Sequence, residues 1–173
     1  RVWTVHKPAR RQALADALGQ ALAGAPAETK RSVASGRFDT RMSERLPLRL
    51  LLADDNAVNQ KVGAALLKKL GYATDLVADG REALEALERM DYDLVFLDVQ
   101  MPVMDGYDAA RAIVAKWAGG AGRGARPLLV AMTGNAMEGD REKCIEAGMD
   151  DYIAKPVRIE ELVAALEKCG AKT

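Results

Sequence analysis

The chain has little cysteine, and what it has forms no metal-binding spacing. Its 173 residues include two cysteines, Cys144 and Cys169, which both fall in stretches of helical periodicity. Cysteines that form disulfide frameworks or metal sites usually come in larger sets at short, regular spacings. We therefore predict two free thiols in a reducing cytoplasm rather than a disulfide or a redox role.

An excess of charge of either sign is also missing. Lysine plus arginine and aspartate plus glutamate number 25 each, so the formal net charge is zero. Nucleic acids and anionic membrane surfaces are bound through clustered positive charge, which this balance does not offer. We therefore expect no nucleic-acid partner and no direct membrane contact.

Long apolar runs are absent as well. No stretch approaches the roughly 18 to 20 apolar residues that cross a bilayer, and no signal peptide opens the sequence. The composition, 49% apolar and 29% charged, is typical of a globular domain with a sizeable core. Because the sequence starts at Arg1 rather than methionine, we expect it to be a piece of a longer protein.

What is present, from residue 48 onward, is a fivefold alternation of strand and helix patterns. The predicted strands span residues 48–53, 72–77, 93–97, 128–132 and 152–154. The predicted helices span residues 57–70, 80–90, 106–117, 137–147 and 159–168. This (βα)5 pattern predicts an α/β fold, a doubly wound, five-stranded parallel sheet with helices on both faces.

The first 47 residues have a different composition, and we predict a linker over 24–47 because that stretch is polar and contains glycine, proline and serine. Residues 1–23 contain an alanine-rich helical pattern. It follows Lys7-Pro8 as the last predicted helix follows Lys155-Pro156. The two helices are either unrelated, or residues 1–23 are the C-terminal remnant of a preceding copy of the fold, which we favour. The main domain is then residues 48–170.

Polar side chains follow four of the predicted strands. Asp54 and Asp55 follow the first strand, Asp98 the third, Thr133 the fourth and Lys155 the fifth. Because the carboxyl ends of parallel strands meet at one edge of the sheet, we expect these groups to share a cleft. Each could singly be a helix cap, a turn residue or a solvated lysine. All of them at one sheet edge predict a functional site.

Three carboxylates in one cleft repel one another and need a cation. Oxygen ligands suit Mg²⁺, so we predict a site formed by Asp54, Asp55 and Asp98, with the backbone carbonyl of Gln100 as a further ligand. A carboxylate there can act as a nucleophile towards phosphorus and form an acyl phosphate. The remaining task in phosphoryl transfer, neutralising the phosphoryl oxygens, suits the hydroxyl and the ammonium group after the last two strands.

Four stretches carry a family resemblance: LLADDNAVNQKV (51–62), LDVQMPVMDG (97–106), AMTGNAMEGDREKC (131–144) and GMDDYIAKP (148–156). They resemble receiver domains of response regulators, in particular the C-terminal receivers of hybrid sensor histidine kinases. The resemblance covers about residues 48–169. It implies a flavodoxin-like receiver fold, Mg²⁺, and a phosphoryl donor that is a histidine kinase domain or a histidine phosphotransfer domain. It also implies a cytoplasmic location. The domain could belong to the cytoplasmic part of a membrane-bound kinase.

The resemblance assigns roles to the residues of the cleft. It implies that Asp98 is the phosphoacceptor and that Asp54 and Asp55 are the acids on the Mg²⁺ side. Thr133 and Lys155 are expected to contact the phosphoryl group.

Further positions follow from the same resemblance. Tyr152 occupies the aromatic switch position and is expected to act together with Thr133. The peptide bond that precedes Pro156 is expected to be cis. Gln100 and Asn135 lie two residues past the phosphoacceptor and past Thr133, beside the line of water attack. We expect these two side chains to set the lifetime of the acyl phosphate.

A docking surface for the phosphoryl donor is predicted beside the cleft. Its residues are Asn56, Val58, Asn59, Val62 and Pro156. They flank the predicted site, and the apolar members could meet a helical partner. The alternative is that the two valines pack inside the domain.

Other functions fit part of the pattern. A hydrolase of the haloacid dehalogenase type would need an acid two residues after its nucleophile, where this chain has Gln100. A receiver-like domain that only binds partners is a second alternative, although all five principal site residues are present. A nucleotide or flavin site would need glycines and backbone amide donors in the turn after the first strand, which is acidic in this chain. We predict a phosphoryl-accepting signalling domain rather than a stand-alone enzyme.

Overall fold

The computed structural model describes residues 39–134 and 138–171, in which eleven helices and strands alternate. The strands are β1 (Leu50–Ala53), β2 (Thr74–Val77), β3 (Leu94–Asp98), β4 (Leu128–Thr133) and β5 (Asp151–Ala154). The helices are α1 (Met42–Arg45), α2 (Ala57–Lys69), α3 (Gly80–Arg89), α4 (Gly106–Ala118), α5 (Glu138–Glu146) and α6 (Ile159–Gly170). The predicted α/β alternation is confirmed. The predicted remnant at 1–23, the first part of the predicted linker and Asn135 lie outside the described residues.

All five strands form one parallel sheet in the order β2-β1-β3-β4-β5. The chain moves to one side of β1 to form β2 and to the other side to form β3. The strand ends are in register, with Asp98 opposite Met132 and Thr133 opposite Ala154. A crevice forms where the winding direction reverses, at the carboxyl ends of β1 and β3.

The sheet is covered by apolar side chains on both faces. Strands β1, β3 and β4 are buried along their whole length, which is why they appear in the sequence as unbroken apolar runs. One face carries Leu50, Leu52 and Phe96 against α2 and α6. The opposite face carries Leu51 and Val95 against α3 and α4. Burial on both faces fixes the register of the central strands, and therefore the positions of the side chains at their ends.

The described part of the predicted linker, residues 39–47, packs against the domain, and we call it the N-terminal strap. Its helix α1 places Met42 in the core at 0% exposure. The hydroxyl of Tyr72 donates a hydrogen bond of 2.8 Å to the carbonyl oxygen of Leu46. The backbone N–H of Ser43 donates one of 3.3 Å to the carbonyl of Leu70. The packed domain therefore begins before residue 48, where the sequence predicted its boundary.

Three further features can be compared with expectation. Cys144 and Cys169 are both buried, and they are not joined in a disulfide. The Lys155-Pro156 peptide bond is cis. Within the residues that the structure describes, no helix has both the length and the apolar character of a membrane span.

Candidate functional site

An acidic cluster lies at the carboxyl ends of β1 and β3. Asp54 and Asp98 are 1% and 5% exposed, whereas Asp55 projects into solvent. One carboxylate oxygen from each of the three residues lies within 4.8 Å of the others. Three oxygen donors at that separation, one of them open to solvent, are a donor set that suits Mg²⁺ with water in its remaining positions.

A lysine at the end of β5 bridges two of these acids. The Nζ of Lys155 lies 2.8 Å from Asp54 Oδ2 and 2.6 Å from Asp98 Oδ2. Its backbone N–H donates a 2.7 Å hydrogen bond to the carbonyl of Thr133, which fixes the turn that carries it. The ammonium therefore supplies positive charge between two buried carboxylates that are distant in sequence, 101 positions away in the case of Asp54, and adjacent in space.

Burial dominates the electrostatics of the central acid. It raises the pKa of Asp98 above its usual value, although hydrogen bonds from Lys155 and from the backbone N–H of Gln100 act in the opposite direction. For Lys155, burial alone lowers the pKa, but the hydrogen bonds with Asp54 and Asp98 outweigh it and the net shift is upward. Lys155 therefore stays an ammonium at neutral pH, beside a carboxylate that carries a desolvation cost.

The predicted hydroxyl group reaches the same cleft. Thr133 ends β4 and is 4% exposed. Together with Asp55 and Gln100 it lines a cleft of about 850 Å³. The backbone N–H of Gln100 donates a 3.2 Å hydrogen bond to Asp98 Oδ1, so the loop after β3 holds the central carboxylate. The structure thus brings all the principal residues predicted from the sequence to one edge of the sheet.

Tyr152 lies on the neighbouring strand. It is 38% exposed on β5 and pairs with Ala131 of β4, two positions before Thr133. Strand β5 is the edge of the sheet, so a side chain there can change position without disturbing both faces of the core.

The apolar members of the predicted docking surface are open to solvent. Val58 is 67% exposed and Val62 is 49% exposed, and Pro156 is exposed as well. The alternative that both valines pack inside the domain is therefore wrong. They lie on α2, next to the acidic cluster.

The two asparagines assigned to the docking surface have intramolecular roles. The side chain of Asn56 accepts a 2.8 Å hydrogen bond from the backbone N–H of Val58 and caps α2. The Nδ2 of Asn59 donates a 3.2 Å hydrogen bond to Asp54 Oδ1. Asn59 was assigned to the docking surface because it flanks the predicted site, and its contact with Asp54 was not predicted.

A glycine that the sequence did not assign to the site also supports it. The first residue of α4, Gly106, packs so closely against β3 that a Cβ atom there would overlap the carbonyl oxygen of Asp98. Its backbone N–H donates a 3.1 Å hydrogen bond to the carbonyl of Val99. The available signal was the glycine directly after the helix cap Asp105.

A doubly wound sheet with acids, a hydroxyl and a lysine at its carboxyl edge is the arrangement of receiver domains in two-component signalling. The family model for the response regulator receiver domain matches residues 50–167. The chain belongs to this family, and it is a receiver domain of two-component phosphorelay signalling.

Individual relatives agree with this assignment. Hybrid signal transduction histidine kinase K of Dictyostelium discoideum is 36% identical over 126 residues, which cover 69% of this chain and 10% of that protein. The chain therefore spans a small part of such relatives.

Solved structures give the same answer. The receiver domain of sensor histidine kinase PA1611 from Pseudomonas aeruginosa has a magnesium ion coordinated in its active-site cleft. It is 44% identical with a TM-score of 0.63, covering 72% of this chain and 98% of that one. A second match comes from the complex of the Saccharomyces cerevisiae histidine phosphotransfer protein Ypd1 with the receiver domain of Ssk1. It is 28% identical with a TM-score of 0.66, covering 72% and 89%.

Proposed function

We propose that Asp98 accepts a phosphoryl group from a phosphohistidine on a histidine kinase domain or a histidine phosphotransfer domain. The observation that carries the proposal is a buried carboxylate with an ammonium 2.6 Å away and two further acids within 4.8 Å. In the transfer, an oxygen of Asp98 bonds to phosphorus as the bond from phosphorus to the imidazole nitrogen breaks.

Mg²⁺ is the cofactor that we propose for this step. Asp54, Asp55 and Asp98 would hold it, together with the backbone carbonyl of Gln100. The support is the oxygen donor set, and the ammonium of Lys155 between the acids, which illustrates their need for positive charge. When bound, the ion neutralises charge on the phosphoryl oxygens.

Lys155 and Thr133 complete the site in this proposal. The ammonium of Lys155, which contacts Asp98, would exchange one carboxylate oxygen for an oxygen of the phosphoryl group. The hydroxyl of Thr133 would donate a hydrogen bond to another. Both side chains stand at the ends of adjacent, paired strands, which supports a joint role.

A conformational switch follows from the same contacts. Thr133 moves towards the phosphoryl group and vacates space that Tyr152 fills, which changes the affinity of the face formed by the last two helices, α5 and α6, for a partner. A small change of charge then biases a two-state element. The support is the position of the two residues on paired strands β4 and β5, with Tyr152 at the exposed edge.

The lifetime of the acyl phosphate is proposed to depend on Gln100 and Asn135. Gln100 is exposed and lines the cleft, where its side chain can affect the approach of water to the acyl phosphate. For Asn135, the support is its spacing of two residues from Thr133 in the sequence.

The donor is proposed to dock on α2 beside the cleft. The contact residues are Val58 and Val62, with Pro156 and Asn59 lining the same pocket as Val62 and with Asn56 at the start of the helix. Exposed valines on one helix beside a charged cleft suit a helical partner that must bring a histidine close to Asp98. The match to a chain of the Ypd1–Ssk1 complex supports a phosphotransfer protein as that partner.

We propose that this chain is the cytoplasmic receiver of a larger protein, a hybrid histidine kinase. Relatives such as kinase K are hybrid kinases. Residues 1–23 would then be the end of a preceding receiver-like domain. Residues 24–47 would connect the two, with the strap already packed on the second. The output would be phosphorelay or control within the kinase.

The proposal is tested by intact mass after incubation with acetyl phosphate and Mg²⁺. We expect the parent protein to gain one phosphoryl group only when Mg²⁺ is present. Asp98→Ala should gain none, and Asp91→Ala, which removes an exposed acid paired with Arg123 at the opposite edge of the sheet, should behave like the parent.

If the parent gains no mass, a purified protein donor that carries phosphohistidine replaces acetyl phosphate. Failure with that donor as well would show that Asp98 is not a phosphoacceptor. A gain that survives in Asp98→Ala would place the phosphoryl group on another residue.

A further inference from the structure

We propose that Asn59 and Gln60, in the first turn of α2, are positioning residues that hold Asp54 in the orientation needed for cation binding. Asn59 acts on the side chain of Asp54, and Gln60 acts on its backbone. The inference rests on the proposed function, since it assigns a role to these residues within the same metal site.

Both carboxylate oxygens of Asp54 have protein partners. Oδ2 lies 2.8 Å from the ammonium of Lys155. Oδ1 accepts hydrogen bonds from the backbone N–H of Asn56 at 2.9 Å and from Nδ2 of Asn59 at 3.2 Å. The rotation of this 1% exposed carboxylate is therefore fixed by α2 on one side and by the lysine on the other. Asn59 is the only side chain among the three donors that comes from α2.

Gln60 holds the backbone from which this carboxylate projects. Its Nε2 donates hydrogen bonds to the carbonyl of Asp54 at 2.8 Å and to the carbonyl of Val77 at 3.0 Å. The backbone N–H of Asp54 also donates to the carbonyl of Val77, at 3.2 Å. One amide group thus connects the ends of β1 and β2 at the residue where Asp54 leaves the sheet. Within the described residues β2 is an edge strand, so β1 is its one strand neighbour there.

The helix itself does not need these two amides. Its cap is already supplied by Asn56, whose side chain accepts from the N–H of Val58. Both side-chain amides instead donate hydrogen bonds to Asp54, and Gln60 also donates one to the end of the neighbouring strand β2. Groups that hydrogen-bond to a metal-binding carboxylate set its orientation, and their removal typically weakens metal affinity by about 10- to 100-fold. An effect on Mg²⁺ affinity is therefore what separates positioning from ordinary structural hydrogen bonding.

The test compares Asn59→Leu and Gln60→Leu, which keep most of the side-chain volume and remove the donors. Lys61→Gln, an exposed neighbour on the same helix, is the matched control, and Asn59→Gln retains a donor on a longer arm. Mg²⁺ affinity is measured on the full chain by titration followed with nuclear magnetic resonance. Thermal unfolding without Mg²⁺ and the Mg²⁺ dependence of labelling by acetyl phosphate are measured alongside.

We expect Asn59→Leu to weaken Mg²⁺ binding by about tenfold, since one of the two donors to Oδ1 remains. Gln60→Leu should weaken it severalfold, Asn59→Gln should recover part of the loss, and Lys61→Gln should match the parent. Phosphorylation of Asn59→Leu by acetyl phosphate should return towards the parent level at saturating Mg²⁺. In metal-free spectra, the side-chain amide signal of Asn59 should move in Asp54→Ala more than in Asp55→Ala.

Parent-like Mg²⁺ affinity in both leucine variants would overturn the inference, even if their unfolding temperatures fell, because the amides would then be structural only. A parent protein that binds no Mg²⁺ would overturn the proposed metal site and this inference with it. The two failures are distinguishable, since the first appears only in the variants and the second already in the parent.

Discussion

The two ends of the parallel sheet bury different kinds of side chain: polar and charged ones at the carboxyl end, apolar ones at the amino end. Among the described residues, the polar or charged residues that are fully buried are Asp54, Asp98 and Thr133, and all three stand at the carboxyl end. At the amino end, the N-terminal strap buries the apolar side chain of Met42 instead. Two charged pairs there, Arg126 with Asp150 and Arg123 with Asp91, keep their arginines 33% and 58% exposed.

The difference separates function from stability. Buried charge costs free energy unless it is fully paired, and the carboxyl end keeps three acids around one ammonium. Buried apolar surface contributes free energy at about 25 cal/mol per Å², and Met42 at the amino end adds it with a side chain that carries no charge and needs no ion-pair partner. Changes at the amino end should therefore alter stability alone, whereas changes at the carboxyl end should alter stability and chemistry in different directions.

The largest change in stability is expected at the amino end. Met42→Ala should lower the free energy of unfolding by about 3 kcal/mol, because a side chain at 0% exposure leaves a cavity. Labelling by acetyl phosphate should persist wherever the variant is folded. Urea unfolding measures the first effect, and Met90→Ala, the same substitution at a 45% exposed site, should change it by less than about 0.5 kcal/mol. Equal effects of the two substitutions would show that the strap does not stabilise the domain.

The next largest change is expected where the carboxyl end meets α4. Gly106→Ala would place a Cβ against the backbone oxygen of Asp98, so we expect a loss of about 2 kcal/mol and slower labelling of Asp98. Gly139→Ala is the matched control, because its Cβ would meet no atom of the described residues within 4 Å and alanine favours the helix by about 0.5–1 kcal/mol. If Gly106→Ala lost stability but kept the parent's labelling rate, the close contact between Gly106 and the backbone of Asp98 would serve packing alone.

The sequence predicted the functional end better than the stabilising end. The buried strands appear as apolar runs, and each principal site residue directly follows one, so topology and site could be predicted together. Met42 could not be found in this way, since it is a single apolar side chain in a polar stretch. Its burial depends on a core cluster that includes Leu67 of α2 and Leu70 directly after that helix, and this cluster exists only after the chain has folded.

Element boundaries and individual contacts were predicted less well than element types. The second strand was expected from Tyr72, but it begins at Thr74. The backbone N–H of Tyr72 donates to the carbonyl of Leu67, and Gly71 has a φ of +93° that ends α2. Asn59 was assigned to the docking surface because it flanks the predicted site. Its contact with Asp54 depends on the angle between helix and strand, which no local pattern encodes.

A smaller change, of opposite sign, is expected from neutralising the central acid. At neutral pH, Asp98→Asn should raise the free energy of unfolding by about 1 kcal/mol and abolish labelling, as often happens when a functional site is made inert. Lys155 keeps its second partner, Asp54, in this variant. Urea unfolding at neutral pH gives the sign, with Asp91→Asn as an exposed control. A less stable variant would mean that the ion pair with Lys155 outweighs the cost of burial.

The pH dependence sharpens the same point. Burial raises the folded-state pKa of Asp98 above that of the unfolded chain. Its stabilising contribution is therefore fully present below the unfolded pKa and is lost as pH rises through the folded pKa. As the pH falls through this range, the parent should gain stability relative to Asp98→Asn, so the difference between them should shrink. A difference that stays constant with pH would show that Asp98 titrates alike in both states.

The smallest change in stability should come from the proposed docking surface, whose valines are exposed and belong to neither buried end of the sheet. Val58→Ala removes a side chain that is 67% exposed, so the free energy of unfolding should stay within about 0.5 kcal/mol. Labelling by acetyl phosphate should also be unchanged, because this small donor needs no protein contact. Transfer from a phosphorylated histidine phosphotransfer protein should nevertheless slow severalfold. Ile145→Ala, at a 58% exposed site on α5, should leave that transfer rate unchanged. Equal transfer rates in both variants would move the docking surface away from α2, while the assignment of Asp98 would stand on its own test.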